Sequence, residues 1–349
     1  MQNKKRGDIA LNNSVILSIC IPSYNRPDEL YRLLRSIDVS DERKIEIVIR
    51  EDMAPKRTEV REKVHEYQER SNYAVRYVEN EENYGYDKNI RNAADIAQGK
   101  WVMFMGDDDI FIKGSLDKYL EFLESHSDLG YVLRRYRKKY TDGRKEEYRY
   151  SRRDEFFAPG EDSIVELFRR SLFISGVTFR KECFSHYSCR ALDGTLLFQL
   201  YIQACVCQRF SSAYCDIPIT ESIEGGIPYF GKSNAEKGLY QSGKNTFQNS
   251  INFLKQVKVV TEYFDSQHQA GITDKVLKSY SKYSYGYLLE HRDDGRKVFR
   301  TYAREIKRIG LGASPYFYIY YYALYILGRK NCQNIIIWIK KIYGKTPRL

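Results

Sequence analysis

The first ~130 residues alternate short apolar runs with helix-spaced segments, and this alternation constrains the fold more than any other feature of the chain. Val15–Ile21 is apolar, rich in β-branched residues and closed by Pro22; Ile45–Ile49, Val75–Val78 and Trp101–Met105 are three further runs. Between them lie Leu30, Leu33, Leu34 and Ile37, then Val60, Val64 and Tyr67, then Ile90, Ala93, Ala94 and Ala97; Leu116, Tyr119, Leu120 and Leu123 follow the last run. Pro27 at a first turn followed by Asp28 and Glu29, and Gly99 after Ala97, supply helix start and stop signals. Strands separated by helices predict a mainly parallel α/β sheet, in which ligands bind beyond the carboxyl ends of the strands. Those ends carry Pro22–Arg26, Arg50–Asp52 and Gly106–Asp109.

The last of these ends is the most acidic. Trp101–Met105 and one glycine are followed by Asp107, Asp108 and Asp109. Carboxylates this close raise one another's pKa unless a cation neutralises them. A hard divalent cation with oxygen ligands, Mg²⁺ or Mn²⁺, is the natural partner, and such ions on one or two carboxylates commonly also hold phosphates. A solvated acidic turn is the competing reading of the triplet taken alone.

Beyond ~130 the pattern changes. Tyr131–Tyr136 and Glu147–Tyr150 predict a hairpin across Thr141–Gly143, Ser175–Phe179 a strand, and Thr195–Gln208 a helix. Ser222–Lys232 holds three glycines and a proline and is expected to be a loop. From ~233 the chain is expected to be helical, with Val276, Tyr280, Tyr283 and Tyr287 on one helix. Residues 295–349 carry 12 Lys/Arg against one acid, so the whole net charge of +11 resides there, and the remainder balances. Residues 309–328 are uncharged but contain three glycines, a proline and six tyrosines. The apolar part is too short to cross a bilayer core of about 30 Å, and a basic, tyrosine-rich interfacial segment at an anionic membrane surface is expected instead, with a helical bundle packed on the sheet domain as the competing reading. Seven cysteines without a CxxC pair suggest neither a zinc site nor a disulfide framework. The polar start, MQNKKRGDIALNN, lacks a signal-peptide core, so a cytoplasmic chain, peripheral on the inner face of the plasma membrane, is expected.

Four segments in order, IPSYNRPDEL (21–30), EIVIRED (46–52), ENYGYDKN (82–89) and GKWVMFMGDDDI (99–110), resemble the inverting glycosyltransferases of family 2 with the GT-A fold. The nearest likeness is to the bacterial branch that builds O-antigen or capsular polysaccharide, including abequosyltransferase-like enzymes. The resemblance covers residues ~15–125 and fades over ~130–230. It implies a GT-A domain over 1–230, with a donor-binding half (14–125) and an acceptor half (126–230), followed by a helical region over 231–349. It further implies a nucleotide-diphosphate sugar donor and a lipid-linked or oligosaccharide acceptor. By the same resemblance, Pro22, Ser23, Tyr24 and Arg26 lie against base and ribose, and Glu51, with Asp52 beside it, meets the base. Asp87 and Lys88 approach the ribose, sugar or diphosphate, although Asp87 also reads as an ordinary helix N-cap. The family's Asp-x-Asp-Asp pattern is shifted here: Gly106 stands at the first Asp position, leaving Asp108 and Asp109 as expected metal ligands and Asp107 as a substitute carboxylate. A general base is implied near a helix start in the middle region, and Asp193, in ALDGTLLFQ, is the candidate.

Two other classes compete. A sugar-nucleotide nucleotidyltransferase needs a similar sheet and acidic ligands, but calls for a glycine-rich loop after the first strand, which IPSYNRPDEL lacks. A nucleic-acid-binding protein would suit the basic charge, but residues 1–294 are balanced and the basic segment carries no recognised motif, so no nucleic-acid partner is expected.

Overall fold

The computed structural model describes residues 15–343. The polar N-terminal stretch discussed above lies outside the described residues. In chain order the first half comprises β1 (Leu17–Ser23), α1 (Pro27–Arg35), β2 (Ile45–Glu51), α2 (Arg57–Arg70), β3 (Ala74–Glu79), α3 (Tyr86–Ile96), β4 (Trp101–Phe104), β5 (Ile110–Phe111) and α4 (Ser115–Ser125). Then follow β6 (Tyr131–Lys139), β7 (Lys145–Tyr148), β8 (Glu155–Phe157), α5 (Glu161–Phe168), β9 (Val177–Arg180), α6 (Lys181–Tyr187), α7 (Phe198–Arg209) and β10 (Ser212–Ile223). Helices α8 (Phe247–His268), α9 (Thr273–Lys282), α10 (Tyr285–Glu290), α11 (Arg296–Ile306) and α12 (Pro315–Tyr343) complete the chain.

The strands form one sheet in the order β3-β2-β1-β4-β9-β6-β10-β5, with β7 beside β6 and β8 beside β10. β3, β2, β1 and β4 are parallel, as the alternating pattern predicts, while β9 lies antiparallel between β4 and β6. The register aligns the ends that matter: Ser23 pairs with Glu51 and Cys20 with Phe104. The ladder continues past the strands, with the Asp52 amide donating to the Ser23 carbonyl (3.1 Å) and the Met105 amide to Cys20 (3.0 Å). Three of the four sequence motifs therefore emerge side by side along one edge of the sheet.

β10 is a twelve-residue strand, next to last in the sheet between β6 and β5, that the pattern does not announce. Pro218 interrupts it, and the pairing with β6 shifts register on both sides of that residue. Such irregularities place a proline in a strand but erase the period-two alternation by which a strand is read. The helix expected through Val276 and Tyr287 is broken into α9 and α10, since Tyr283 leaves helical dihedrals (φ −113°, ψ 30°). Residues 233–246, also expected to be helical, precede α8 as irregular chain.

The C-terminal helices share a core with the sheet. One buried apolar cluster runs from Cys20, Val48 and Phe104 through Leu200 and Val206 of α7 to Leu254, Val257 and Phe264 of α8, and on to Tyr280, Tyr302 and Leu324. No break in this packing falls at the 230/231 boundary expected from the sequence. α12 is interrupted at Gly328 (φ 77°, ψ 173°). Among the described residues no helix is long and apolar enough to cross a membrane.

A shared core predicts a shared transition. A chain ending at Tyr240 loses the side chains of α8 that cover α7, and is expected to bind a hydrophobic dye and to show no cooperative unfolding by calorimetry. A sharp transition in the shortened chain would show that the sheet half folds alone.

Candidate active site

The Asp107–Asp109 turn sits where β4 ends, and its three carboxylates take different partners. Asp107 is buried and accepts from the Tyr24 amide (2.9 Å) and from Arg26 Nη1 (2.6 Å). Asp108 is the most open of the three, with its side chain 27% exposed, and lies 3.2 Å from Arg26 Nη2. Asp109 is buried and accepts from Ser175 Oγ (2.5 Å). Burial, with the neighbouring Asp108 charge adding to it, pushes the Asp109 carboxyl up to about 7. Burial also raises Asp107, with Arg26 opposing and Asp108 reinforcing the shift. Burial is the main cause at both residues, and like-charge crowding by Asp108 adds to it.

Gly106 explains the shifted motif. A Cβ there would stand 3.3 Å from Asp108 Oδ1, Asp109 Oδ2 and Ser175 Oγ. These oxygens converge on a gap that any larger residue would fill, and an aspartate at 106 would crowd it with a further charge. The all-oxygen donor set fits a hard divalent cation through Asp108 and Asp109. No group of three or more His, Cys, Asp or Glu arranged for a metal occurs among the described residues. Two carboxylates completed by phosphate and water suit Mg²⁺ or Mn²⁺.

A loop covers this turn. Ile227, between β10 and α8, accepts from Arg26 Nη2 (2.5 Å), and the Tyr229 ring lies 5.1 Å from the same guanidinium and 5.6 Å from Tyr24. Gly226 packs on Asp108, where a Cβ would come within 2.5 Å of Oδ2. Arg26, expected against the base and ribose, instead bridges Asp107, Asp108 and this loop. Pro22 and Ser23 end β1, with Ser23 fully buried. Tyr24 keeps a half-buried ring at the mouth of the site.

Three other predicted site residues turn into the chain. Glu51 is fully buried and accepts from the Met53 and Ala54 amides (3.1 and 2.6 Å) and from Arg57 Nε (2.5 Å). Asp52 accepts from Asn80 Nδ2 (2.7 Å) and from the Tyr84 and Gly85 amides (2.7 and 2.9 Å). Asp87 is buried and accepts from the amides of Gly194, Leu196 and Phe198 (2.9, 2.8 and 3.0 Å). It therefore caps the start of α7 from a different helix, rather than capping its own helix or facing a ribose. The turns that lead into helices leave backbone amides without acceptors in regular structure, and these carboxylates supply them. Gly85 begins α3 at φ 79°, and a Cβ there would strike Ser233 Oγ. Lys88 stays nearer the surface, its ammonium 3.3 Å from the Tyr84 ring centroid.

Asp193 lies in the turn that Asp87 anchors. Both its oxygens are held by Arg91 (2.5 and 2.8 Å), while its side chain remains 21% exposed. Glu236, absent from the sequence reading, is buried and accepts from the Tyr86 and Gly231 amides (2.7 Å each), tying the covering loop to the start of α3. Ser175, Arg91, Tyr229 and Glu236 belong to no motif; only the glycine-rich character of 222–232 pointed toward any of them.

Comparisons with known proteins bear on the family likeness and the fold. Residues 18–190, just under half of the chain, match the profile described as Glycosyl transferase family 2. It is 32% identical over 117 residues to abequosyltransferase RfbV of Salmonella typhimurium, covering 33% of this chain and 34% of that protein. An uncharacterized glycosyltransferase of Haemophilus influenzae is 28% identical over 117 residues, covering 34% and 37%. The matched stretch thus spans about a third of the length of these curated relatives. Among solved structures, S. aureus TarS 1-349 aligns with a TM-score of 0.57 at 14% identity over 92% of each chain. The mannosyltransferase PcManGT from Pyrobaculum calidifontis, in complex with GDP-Man and Mn²⁺, aligns with a TM-score of 0.52 at 15% identity, covering 98% and 92%. At these identities the likeness shows the fold, which is the expected GT-A architecture.

The inward-facing carboxylates have a pH signature. Burial lifts Asp87 from its ordinary 3.8 to about 7, against the pull of the Phe198 and Leu196 amides, and lifts Asp52 to about 6. The folded chain therefore holds these protons more tightly than the unfolded chain. Their contribution to stability is complete below about pH 4 and is lost as pH rises through 6 and 7. Calorimetry is expected to show Tm falling between pH 5 and 8, with a flatter slope in Asp87→Asn; an identical slope in the variant would exclude Asp87 as its source.

Proposed function

We propose that this protein is an inverting glycosyltransferase that moves a sugar from a nucleotide-diphosphate donor to a hydroxyl of a glycan acceptor in cell-surface polysaccharide synthesis. The observation that carries the reading is the Asp107–Asp109 turn at the end of β4, held to Tyr24 just past the end of β1, in a chain whose residues 18–190 match the family 2 profile. The donors named with neighbouring folds, UDP-GlcNAc for TarS and GDP-Man with Mn²⁺ for PcManGT, support this donor class.

In this reading Tyr24 offers a flat face to the base, with Lys88 beside it on the ribose or diphosphate side. Asp108 and Asp109 would hold a divalent cation, which supplies charge neutralisation for the leaving nucleoside diphosphate when bound. Arg26 balances Asp107 and Asp108 within the chain and keeps the covering loop over them. Glu51, Asp52 and Asp87 position the loops that meet the donor. Inversion is a single displacement, so the acceptor hydroxyl must lose its proton to a base as its oxygen bonds the anomeric carbon. Asp193 takes that proton, with Arg91 fixing the orientation of its carboxylate.

The acceptor is lipid-linked, and the chain works at an anionic membrane surface. Ile319, Tyr322 and Ile326 share an exposed face of α12, Arg308 and Lys330 flank it in sequence, and Trp338 is exposed further along. Apolar side chains flanked by cations are the chemistry of an interfacial helix.

Two measurements test these assignments. Asp193→Asn is expected to keep nucleotide-sugar affinity and to lower kcat by about 10²–10⁴-fold, the usual contribution of a general base; full turnover excludes it as base. Asp108→Asn is expected to abolish the Mn²⁺ dependence of donor binding in calorimetry. For the membrane, Ile326→Glu with Trp338→Glu should release the protein from phosphatidylserine vesicles in a flotation assay. Binding equal to wild type would assign that face to another role.

A further inference from the structure

A cavity of about 280 Å³ opens between the covering loop and the C-terminal helices. Phe230, Tyr240, Phe253 and Tyr287 supply aromatic walls, and Lys244 and Glu290 stand among its polar groups. Two further lining residues tie it to the site described above. Leu196 belongs to the turn that carries Asp193, and its amide is held by Asp87. Pro228 follows Ile227, whose carbonyl takes the Arg26 guanidinium. The cavity therefore adjoins both the turn that holds the base and the loop over the aspartates, from the side opposite the donor motifs in sequence.

We propose that this cavity is an acceptor subsite that receives one pyranose ring of the glycan; the inference rests on the glycosyl-transfer reading above. The volume falls just below that of most small-molecule sites, roughly 300–1,000 Å³, which suits a single ring rather than an extended chain. Aromatic faces match the C–H face of a pyranose, and a few placed polar groups match its hydroxyls. Glu290 is exposed and already accepts from Asn245 Nδ2 (2.7 Å), leaving acceptor capacity for a hydroxyl. Lys244 makes no ion pair among the described residues, and its loop is fixed by the buried Asn249, which donates to the Lys244 and Gln241 carbonyls (2.8 Å each). A lipid tail would leave these polar groups desolvated without partners, at a cost a sugar avoids. Every lining residue lies beyond residue 190, where the family match ends. The cavity thus belongs to the part of the chain in which acceptor choice can differ from that of relatives sharing the donor half.

The test uses the full chain and a panel of methyl pyranosides, read by saturation-transfer NMR. Wild type is expected to bind at least one of them. Phe230→Ala and Glu290→Gln, both at the exposed rim, are expected to weaken that binding at least tenfold. Circular dichroism melts check that both variants fold, and a thermal-shift series with UDP-, GDP-, dTDP- and CDP-sugars should give the same response as wild type. No bound pyranoside in the panel, or binding unchanged in both variants, overturns the subsite. Absence of any nucleotide-sugar response in wild type would instead count against the glycosyl-transfer reading, and leaves the pyranoside result separately readable.

Discussion

The arrangement of this molecule depends on buried carboxylates that accept backbone amides from elements distant in sequence. Asp87 is the clearest case: one side chain on α3 satisfies three amides at the approach to α7, more than a hundred residues away. Asp52 does the same for the turn before α3, and Glu236 joins α3 to the covering loop. Each bond removes an orphan donor and fixes a loop in one step. An unsatisfied buried donor costs on the order of 1–3 kcal/mol, so the four segments are held together by avoided penalties as much as by attraction.

Those same carboxylates mark where the sequence could be read and where it could not. The parallel half of the sheet was legible because β1, β2 and β4 are apolar, short and punctuated by Pro22, Gly99 and Gly106. The Asp107–Asp109 turn was legible for a local reason, since three adjacent acids at a strand end have few structural uses. Asp52 and Asp87 were found as residues but not as roles. A carboxylate aimed at a ligand and one aimed at an amide a hundred residues away look alike in sequence, and only tertiary placement separates them. Glu236 left no signal at all, because the amides it accepts from carry no residue code, and Ser175 left none because its partners, the Asp109 carboxylate and the Gly106 amide, lie 66 and 69 residues away. β10 was lost to Pro218 and its register shifts, although it pairs with three other strands.

Arg26 illustrates how charge organises the site. Its guanidinium lies between two aspartates, beneath an aromatic ring and against a carbonyl of the covering loop, so one cation balances the acidic turn and closes a contact some two hundred residues along the chain. Planar, multidentate donors make arginine suited to this position; a lysine would offer a point charge without the fork.

The uninterrupted core has a consequence for exchanging parts between related chains. Acceptor preference in such proteins is an attractive target for grafting, and the end of the covering loop near residue 230 looks like a natural seam. Here a seam at that place would divide Glu236 from the Tyr86 amide it receives and leave α7 without the α8 residues that cover it. A viable chimera must therefore transplant the helices together with the α7 and α3 surfaces they meet, so that the unit of inheritance is an interface rather than a segment.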